Sequence, residues 1–507
     1  MVFSLFHKKE RTIMWTREQR YRRLEEAAPE EIASLLETVH ACPFRQTFHI
    51  QPPMGLMNDP NGLAYFDGYY HVFYQWFPLG PVHGVKYWYH MKSIDLITWI
   101  DEGPGIRPDL DFDSHGAYSG SALEQDGKLY LMYTGNKRDE NWRRYPSQCI
   151  AVMNQNGEIS KWQDPVIPEP PNGYTEHFRD PRVWKEDGGF WAIIGAQRED
   201  LTGTVLLYSS PDMKTWRLEG ELKTNLPNFG YMWECPDYFE LDNSGVLIFS
   251  PQGIEEKGDE FQNIYQSGYL IGETLNLLSR EFHHGAFKEL DRGFDFYAPQ
   301  TMVDPNGRRI LIGWMGLPEI DYPTDKNGWA HCLTIPRELS IQNGKLIQTP
   351  VKELEALRKQ KVEIQACIEN ESKTFLGLTG TTFEMKIKIE NLDAVECGIE
   401  FRANNTKKTV LKYEAKRKRL ILDRSLSGES VGIDYGTIRA CSLESELLTV
   451  HLFVDVSSVE IFINDGEEVF TARIFPEEDG QDIRFFANHG SMDMTVEKWA
   501  ISRFNGQ

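Results

Sequence analysis

Three acidic residues recur at the same place relative to a series of regularly spaced turns in this 507-residue sequence. Asp59 lies in the segment MNDPNG, Asp180 in RDP and Glu234 in WECPD, each eight to eleven residues ahead of a turn glycine. Carboxylates that are held close together repel one another, which raises the pKa of at least one of them and is common in catalytic sites. Grouped carboxylates are suited to acid–base and nucleophilic chemistry.

The turns that order these acids separate short runs of aromatic and β-branched residues, a pattern typical of β-hairpins. The turns are Asp67-Gly68, Asp126-Gly127, Asp187-Gly188, Asn243-Ser244-Gly245 and Asn306-Gly307. Their glycines are 59, 61, 57 and 62 residues apart. Units of this size and period predict blades of four-stranded sheet around an axis. We therefore expect a five-bladed β-propeller over residues 45–345, in which the three acids converge on the axis.

The regions before and after the repeat have different residue patterns. Residues 1–44 contain a charged segment in which Leu24, Ile32, Leu35 and Leu36 have nearly helical spacing, which predicts a short N-terminal helical extension. Residues 346–369 contain VKELEALRKQ and are predicted to be a linker helix. Residues 370–507 alternate in hydrophobicity and predict a C-terminal β-sandwich. The fold class is therefore all-β.

The acidic motifs have two simpler interpretations, as ordinary turns or as a calcium site. Asp-Pro and Asn-Gly pairs are ordinary turn sequences, so each motif alone is more often a turn than a site. Three oxygen ligands could also bind calcium, but EF-hand spacing is absent and the neighbouring Arg179 opposes a cation. The three acids share the same position relative to their turns, which we call their phase, and this favours a catalytic site. We predict neither a metal nor a cofactor.

Charge and cysteine content limit the partners and the compartment. The formal net charge of −22 opposes binding to nucleic acid or to an anionic membrane. The seven cysteines show no CxxC spacing, which favours a reducing compartment. The start of the chain does not resemble a secretion signal, and no stretch is long enough to span a bilayer. We expect a cytoplasmic protein.

The motifs resemble those of glycoside hydrolase family 32, the β-fructosidases. The family pattern His-x-x-Pro followed by Asn-Asp-Pro-Asn-Gly matches residues 49–62 without a gap. The RDP motif matches residues 179–181, ECP matches 234–236, and the FSGS motif is present as YSGS at 118–121. The resemblance extends over nearly the whole chain and implies a five-bladed propeller with an appended sandwich, in agreement with the repeat.

The resemblance also implies roles for individual residues in retaining hydrolysis of a terminal β-fructofuranoside. Asp59 is expected to be the nucleophile, with a lowered pKa, and Glu234 the acid/base. Asp180 is expected to stabilise the transition state, held in its charged form by Arg179, and Trp329 to form an aromatic wall. The expected substrate-binding residues are Leu56, Met57, Asn58, Gln75, Tyr118, Ser119, Arg179 and Trp329.

The expected substrate is sucrose 6-phosphate or sucrose, since a cytoplasmic enzyme meets imported disaccharides. Candidate cations for a phosphate are Lys86, Lys137, Arg138, Arg143 and Arg144. A fructosyltransferase, a fructooligosaccharide hydrolase and an inverting arabinanase-like enzyme remain alternatives. A non-catalytic fructan-binding protein is disfavoured because Asp59 and Glu234 are both present. Dimerisation through the C-terminal sandwich is left open.

Overall fold

The computed structural model describes residues 15–186, 188–226 and 228–501, and its helices are few and short. In the N-terminal region, helix α1 (Arg17–Tyr21) starts after the capping residue Thr16, and α2 (Pro29–His40) has proline in its first turn. The predicted helical extension is thus seen from residue 15 onward, and its first 14 residues lie outside the described ranges. No helix in the described ranges is long and apolar enough to cross a membrane.

The predicted five-bladed propeller is confirmed, and each blade is an antiparallel sheet. The first two blades contain β1 (Gly55–Phe66), β2 (Tyr69–Phe77), β3 (Tyr87–Ser93), β4 (Trp99–Ile106), β5 (Ala117–Gln125), β6 (Lys128–Arg138), β7 (Arg144–Met153) and β8 (Ile159–Lys161). The third and fourth contain β9 (Tyr174–Glu186), β10 (Gly189–Arg198), β11 (Gly203–Ser210), β12 (Arg217–Glu221), β13 (Met232–Leu241), β14 (Ser244–Gln252), β15 (Gly268–Gly272) and β16 (Lys288–Glu289). The fifth contains β17 (Tyr297–Val303), β18 (Arg309–Met315), β20 (Cys332–Leu333), β21 (Arg337–Gln342) and β22 (Lys345–Pro350).

The blades form a closed ring. The first strand of each blade contacts the first strand of the next, and β17 of the last blade contacts β1. The short strand β19 (Trp329–Ala330) leaves the fifth blade and pairs in parallel with Gly55 and Leu56 of β1. This pairing joins the end of the repeat to its beginning, so the first strands surround a common axis.

Two-residue turns connect the first two strands of several blades. Asp67 and Gly68 both have positive φ, as do Asp126 and Gly127, the conformation that such hairpin turns require. In the fourth blade the turn is formed by residues 242 and 243, not 243–245 as expected, because β14 already begins at Ser244. The shift leaves the phase of the acids unchanged.

The linker helix expected over residues 346–369 is absent. Residues 345–350 form β22, Lys352–Leu357 form a 3₁₀-helix, and β23 starts at Arg358. From Val362 to Ile368 every second residue is more buried than its neighbours, which is the period of a strand. This alternation outweighs the helical propensity of the charged residues between them.

The C-terminal region is a β-sandwich-like unit, as predicted. Its strands are β23 (Arg358–Thr379), β24 (Phe383–Leu392), β25 (Glu396–Ala403), β26 (Lys408–Glu414), β27 (Arg419–Leu426), β28 (Ile438–Ser442), β29 (Thr449–Asp455), β30 (Ser458–Ile463), β31 (Glu468–Arg473) and β32 (Asp482–Ile501). The long strand β32 pairs with β25 through its first half and with β24 through its second half. The two halves of the sheet therefore share one apolar core.

Candidate active site

Each blade has a β-bulge in its first strand, near the position predicted to face the axis. The bulges lie within 57–60, 118–120, 179–182, 234–237 and 297–300. At three of them a non-glycine residue has positive φ: Asp180 at 67°, Cys235 at 49° and Ala298 at 46°. A bulge bends a strand and redirects its side chains, and such strained backbone is found disproportionately at functional sites. The three acids lie at these bulges.

Asp59, Asp180 and Glu234 line one cavity of about 730 Å³. The blades contribute to its wall Asn58, Asp59, Gln75, Tyr118, Arg138, Arg144, His177, Arg179, Asp180, Glu234, Gln252, Tyr297 and Trp314. Within the described ranges, no group of three or more His, Cys, Asp or Glu side chains is arranged to hold a metal ion. The fold thus brings together the acids that the repeat predicted to converge.

The carboxylate of Asp59 is fixed by neighbouring donors. Its Oδ2 accepts hydrogen bonds from Gln75 Nε2 at 3.0 Å and Ser119 Oγ at 2.5 Å. Its Oδ1 accepts a bond from Asn58 Nδ2 at 3.2 Å, and the Oδ1 of Asn58 accepts from the buried Lys86 Nζ at 2.6 Å. These contacts hold one carboxylate oxygen in a fixed direction.

The pKa of Asp59 is raised, contrary to the expectation from sequence. Burial is the largest cause, because the charged form loses its hydration, and the negative charge of Glu234 adds to it. Hydrogen bonds from Ser119 and Asn58 lower the pKa without reversing the shift. The expectation was wrong because it considered the donors but not the depth of the site.

Asp180 lies beside Asp59, and Cys235 contacts both. The backbone N–H of Cys235 donates to Asp180 Oδ2 at 3.0 Å, and its Sγ lies 3.7 Å from Asp59 Oδ2. The pKa of Asp180 is raised to about 7, mainly by burial, with Glu234 and Asp59 raising it and Arg179 lowering it. The guanidinium Nε of Arg179 is 4.0 Å from Asp180 Oδ2, which is farther than from Glu234, and its charge favours the ionised form of Asp180.

Arg179 instead binds Glu234. Its Nε and Nη2 donate to Glu234 Oε1 at 2.9 and 2.7 Å. The second oxygen, Oε2, accepts from Tyr297 Oη at 2.6 Å and from Gln252 Nε2 at 2.8 Å. The Glu234 side chain is 17% exposed, against 3% for Asp180, so it is open to the cavity. Glu234 is therefore accessible to a molecule in the cavity.

Five of the predicted binding residues lie at the cavity wall or directly behind it. Asn58, Gln75, Tyr118 and Arg179 line the cavity, and Ser119 lies behind it as a donor to Asp59. These positions fit a cavity wall that faces the substrate, with Ser119 holding Asp59 from behind the wall.

Leu56, Met57 and Trp329 do not line the cavity, contrary to expectation. All three are buried, and Trp329 is completely so. Trp329 belongs to the strand that closes the ring, and the guanidinium of Arg45 stacks over it at 4.6 Å. Trp314 is one of the aromatic residues that do line the cavity.

Several residues of the site were not identified from the sequence, although two of them had a signal. Tyr297 stands at the same phase as the acids, in the fifth blade. Gln252 follows its turn glycine by the same interval as Gln75 follows Gly68. The N-terminal residues Trp15, Arg17, Arg20 and Tyr21 also line the cavity. No repeat connects them to the blades, so the turn period could not place them at the site.

Comparison with known sequences identifies two family profiles in this chain. The N-terminal domain of glycosyl hydrolases family 32 matches residues 49–350, and the family 32 C-terminal domain matches residues 353–502. A sucrose-6-phosphate hydrolase of Staphylococcus xylosus is 49% identical over 96% of this chain and 98% of its own length. One from Bacillus subtilis is 41% identical over 94% of this chain and 98% of its own length.

Solved structures agree with these matches. The sucrose-6-phosphate hydrolase of Lactobacillus gasseri superposes with a TM-score of 0.90 at 39% identity, over 97% of this chain and all of the other. The family 32 β-fructofuranosidase of Bombyx mori superposes with a TM-score of 0.81 at 31% identity, over 95% and 99% of the two chains. This chain, with its three carboxylates at the axis of the propeller, belongs to glycoside hydrolase family 32.

Proposed function

We propose that the chain hydrolyses terminal β-D-fructofuranosides with retention of configuration, and that its main substrate is sucrose 6-phosphate, with sucrose as a second substrate. The observation that carries this proposal is the placing of two carboxyl groups in one cavity with different surroundings. Asp59 is deeply enclosed and fixed by three donors, whereas Glu234 is open to the cavity. The curated relatives named above, both sucrose-6-phosphate hydrolases, support the choice of substrate.

Asp59 acts in this proposal as the nucleophile. Its carboxylate attacks the anomeric carbon of the fructosyl unit and forms a covalent intermediate. Gln75, Ser119 and Asn58 hold the carboxylate by hydrogen bonds that also favour its charged form. A fixed direction of attack removes much of the entropic cost of reaching the transition state.

Glu234 acts first as acid and then as base. It donates a proton to the leaving glycosidic oxygen and afterwards accepts a proton from the water that attacks the intermediate. The guanidinium of Arg179 and the hydroxyl of Tyr297 contact its two oxygens and stabilise the carboxylate that exists between the two steps.

Asp180 lies next to the nucleophile and is positioned by the Cys235 amide. We assign it to the hydroxyl groups of the fructosyl ring, where a carboxylate can accept two hydrogen bonds. Its negative charge would stabilise the positive charge that develops on the ring in the transition state.

The role of Glu234 is tested with the variant Glu234→Gln. We expect kcat/KM to fall by about 10²–10⁴-fold. Azide needs no base in the second step. With a fructoside whose leaving group needs no protonation, added azide should therefore restore turnover and give a fructosyl azide of retained configuration. An inverted product would contradict the retaining mechanism, and activity close to that of the parent enzyme would contradict the assignment of Glu234.

The choice of substrate is tested by comparing kcat/KM for sucrose 6-phosphate and sucrose on the same preparation. A tenfold preference for the phosphate ester corresponds to about 1.4 kcal/mol of transition-state discrimination. Equal activity on the two sugars would make the chain a general β-fructofuranosidase. Formation of longer fructosides instead of free fructose would identify a fructosyltransferase, which would share these carboxylates.

Two further expectations belong to this proposal. A phosphorylated disaccharide would arise inside a cell, which supports a cytoplasmic location, and cell fractionation would test it. Dimerisation through the C-terminal sandwich stays a prediction, which light scattering on the purified protein would test.

A further inference from the structure

The cavity wall carries more positive charge than expected of a chain with a formal net charge of −22. Four arginines contribute to it besides Arg179, and none has a carboxylate partner within the described part of the chain. These residues, which we name the arginine rim, are Arg17, Arg20, Arg138 and Arg144. A fourth carboxylate of the cavity, Glu319, accepts a hydrogen bond from the Tyr265 hydroxyl at 3.0 Å.

Three of the four guanidinium groups of the rim lie over aromatic rings. Arg17 and Arg138 lie over the ring of Trp142, at 4.1 and 5.0 Å from its centre. Arg144 lies 5.7 Å from the centre of the Tyr118 ring. Stacking holds a guanidinium by its face and leaves its N–H edge available for an anion.

Burial makes the lack of anionic partners costly. The Nε atoms of Arg138 and Arg144 are buried and have no hydrogen-bond acceptor among the described residues. The guanidinium of Arg138 donates to the backbone carbonyl of Trp142 at 2.9 Å and also contacts the hydroxyl of Tyr21, and neither of these partners is a carboxylate. Unpaired buried donors destabilise a protein, so like charges gathered in this way indicate a site for an anion.

The N-terminal segment that supplies half of the rim is docked against the first blade. The backbone N–H of Val85 donates to the carbonyl of Arg20 at 2.7 Å. A Cβ added at Gly84 would lie 2.2 Å from this carbonyl oxygen, and one at Gly80 would lie 2.1 Å from the ring of Trp15. The two glycines thus permit the close approach that places Arg17 and Arg20 at the cavity.

The rim lies next to the nucleophile. Tyr118 carries the guanidinium of Arg144 on its ring, and the adjacent Ser119 donates to Asp59. An anion bound at the rim would therefore belong to the same substrate that Asp59 attacks. Because the three carboxylates are assigned to the fructosyl unit and its bond, the anion would be carried by the leaving-group sugar.

We infer that the arginine rim is the subsite for the phosphate ester of the leaving-group sugar, and this rests on the function proposed above. Guanidinium groups bind phosphate by paired, charge-assisted hydrogen bonds. The N-terminal segment is then part of the specificity pocket. Two of the cations considered from sequence are excluded: Lys137 pairs with Asp111 at 2.5 Å, and Arg143 is exposed over Tyr145.

The test measures kcat/KM on sucrose 6-phosphate and on sucrose for Arg138→Gln, Arg144→Gln and Arg20→Gln, with Lys137→Gln as the matched control. We expect each rim variant to lower the ratio of the two kcat/KM values by about tenfold or more, and the control to leave it unchanged. Activity on sucrose reports whether a variant is folded with its carboxylates intact. If the rim variants kept the parent ratio of the two kcat/KM values, whether or not activity on both sugars fell, the inference would be overturned.

Inhibition of sucrose hydrolysis identifies the source of the phosphate. Glucose 6-phosphate should compete at least tenfold more strongly than glucose, and this difference should vanish in Arg144→Gln. If inorganic phosphate inhibited as strongly as glucose 6-phosphate, the rim would be a site for free phosphate and not for the leaving group. A parent enzyme inactive on both sugars would instead contradict the proposed function itself.

Discussion

Two buried clusters of carboxylates in this chain have different surroundings. One is the site cluster of Asp59, Asp180 and Glu234 at the axis of the propeller. The other, which we name the interface clamp, joins the propeller to the C-terminal sandwich. In the clamp, His49 Nδ1 and Nε2 contact Asp455 at 2.8 Å and Glu460 at 3.0 Å, and Arg337 Nη2 donates to Glu460 at 2.5 Å.

The difference between them is charge balance. In the clamp, Asp455 contacts His49 and Glu460 contacts both His49 and Arg337, and the pKa values of these two carboxyl groups are lowered despite burial. Arg337 is shared with a further buried carboxylate, Asp291, whose pKa is raised by burial. Of the three carboxylates of the site, Glu234 pairs directly with Arg179, whereas burial raises the pKa values of Asp59 and Asp180. Complete pairing gives a structural contact, whereas incomplete pairing leaves groups that can exchange protons near neutral pH.

The largest effect should be a loss of rate without a loss of stability, in Asp59→Asn. Removing the attacking carboxylate should lower kcat/KM by at least 10³-fold. Because the substitution also removes one of three mutually repelling acids, the free energy of unfolding should stay equal or rise. Kinetics on sucrose and urea denaturation would measure the two quantities, and a strongly destabilised variant would show that Asp59 is structural.

For Asp455→Asn in the clamp we expect the reverse, a loss of stability without a loss of rate. Breaking a buried ion pair leaves His49 without its closest anionic partner and should lower the free energy of unfolding by about 3–5 kcal/mol. Asp423→Asn, at a half-buried carboxylate of β27 that has no ion-pair partner among the described residues, is a suitable control. Equal unfolding midpoints for the two variants would contradict the structural role of the clamp.

The clamp should also make stability depend on pH. Burial alone would lower the pKa of His49, but its bonds to Asp455 and Glu460 raise it to about 9 from an ordinary value of 6.5. Its contribution is therefore complete below pH 6.5 and is lost as pH rises toward 9, amounting to about 3 kcal/mol. His49→Gln should flatten the unfolding free energy over this range, and an unchanged slope would exclude His49 as its source.

Activity should respond to pH in the opposite direction. The pKa of Asp180 is raised to about 7 in the free enzyme, mainly by burial. If its charged form is required, kcat/KM on sucrose should fall about tenfold for each unit of pH below this value. A profile that stays level down to pH 5 would show that Asp180 and Asp59 remain ionised there.

One motif of the sequence contributes to both clusters. The segment from His49 to Gly62 supplies His49 to the clamp and Asp59 to the site. The turn period predicted the blades, and the shared phase predicted the three acids. Neither the turn period nor the shared phase could predict the partner of Arg179, because a strand bulge decides which way a side chain points. Here the bulge directs Arg179 to Glu234.

The sequence by itself determined the all-β class, the number of blades and the acids at the axis, because these follow from local turn chemistry repeated at a fixed interval. Only the tertiary structure decided the burial of Trp329, the balance of charge around Asp59 and the arrival of Arg17 and Arg20 at the cavity. These features depend on contacts between segments distant in the chain. Neither the period nor the composition of a segment specifies which distant surface will cover it.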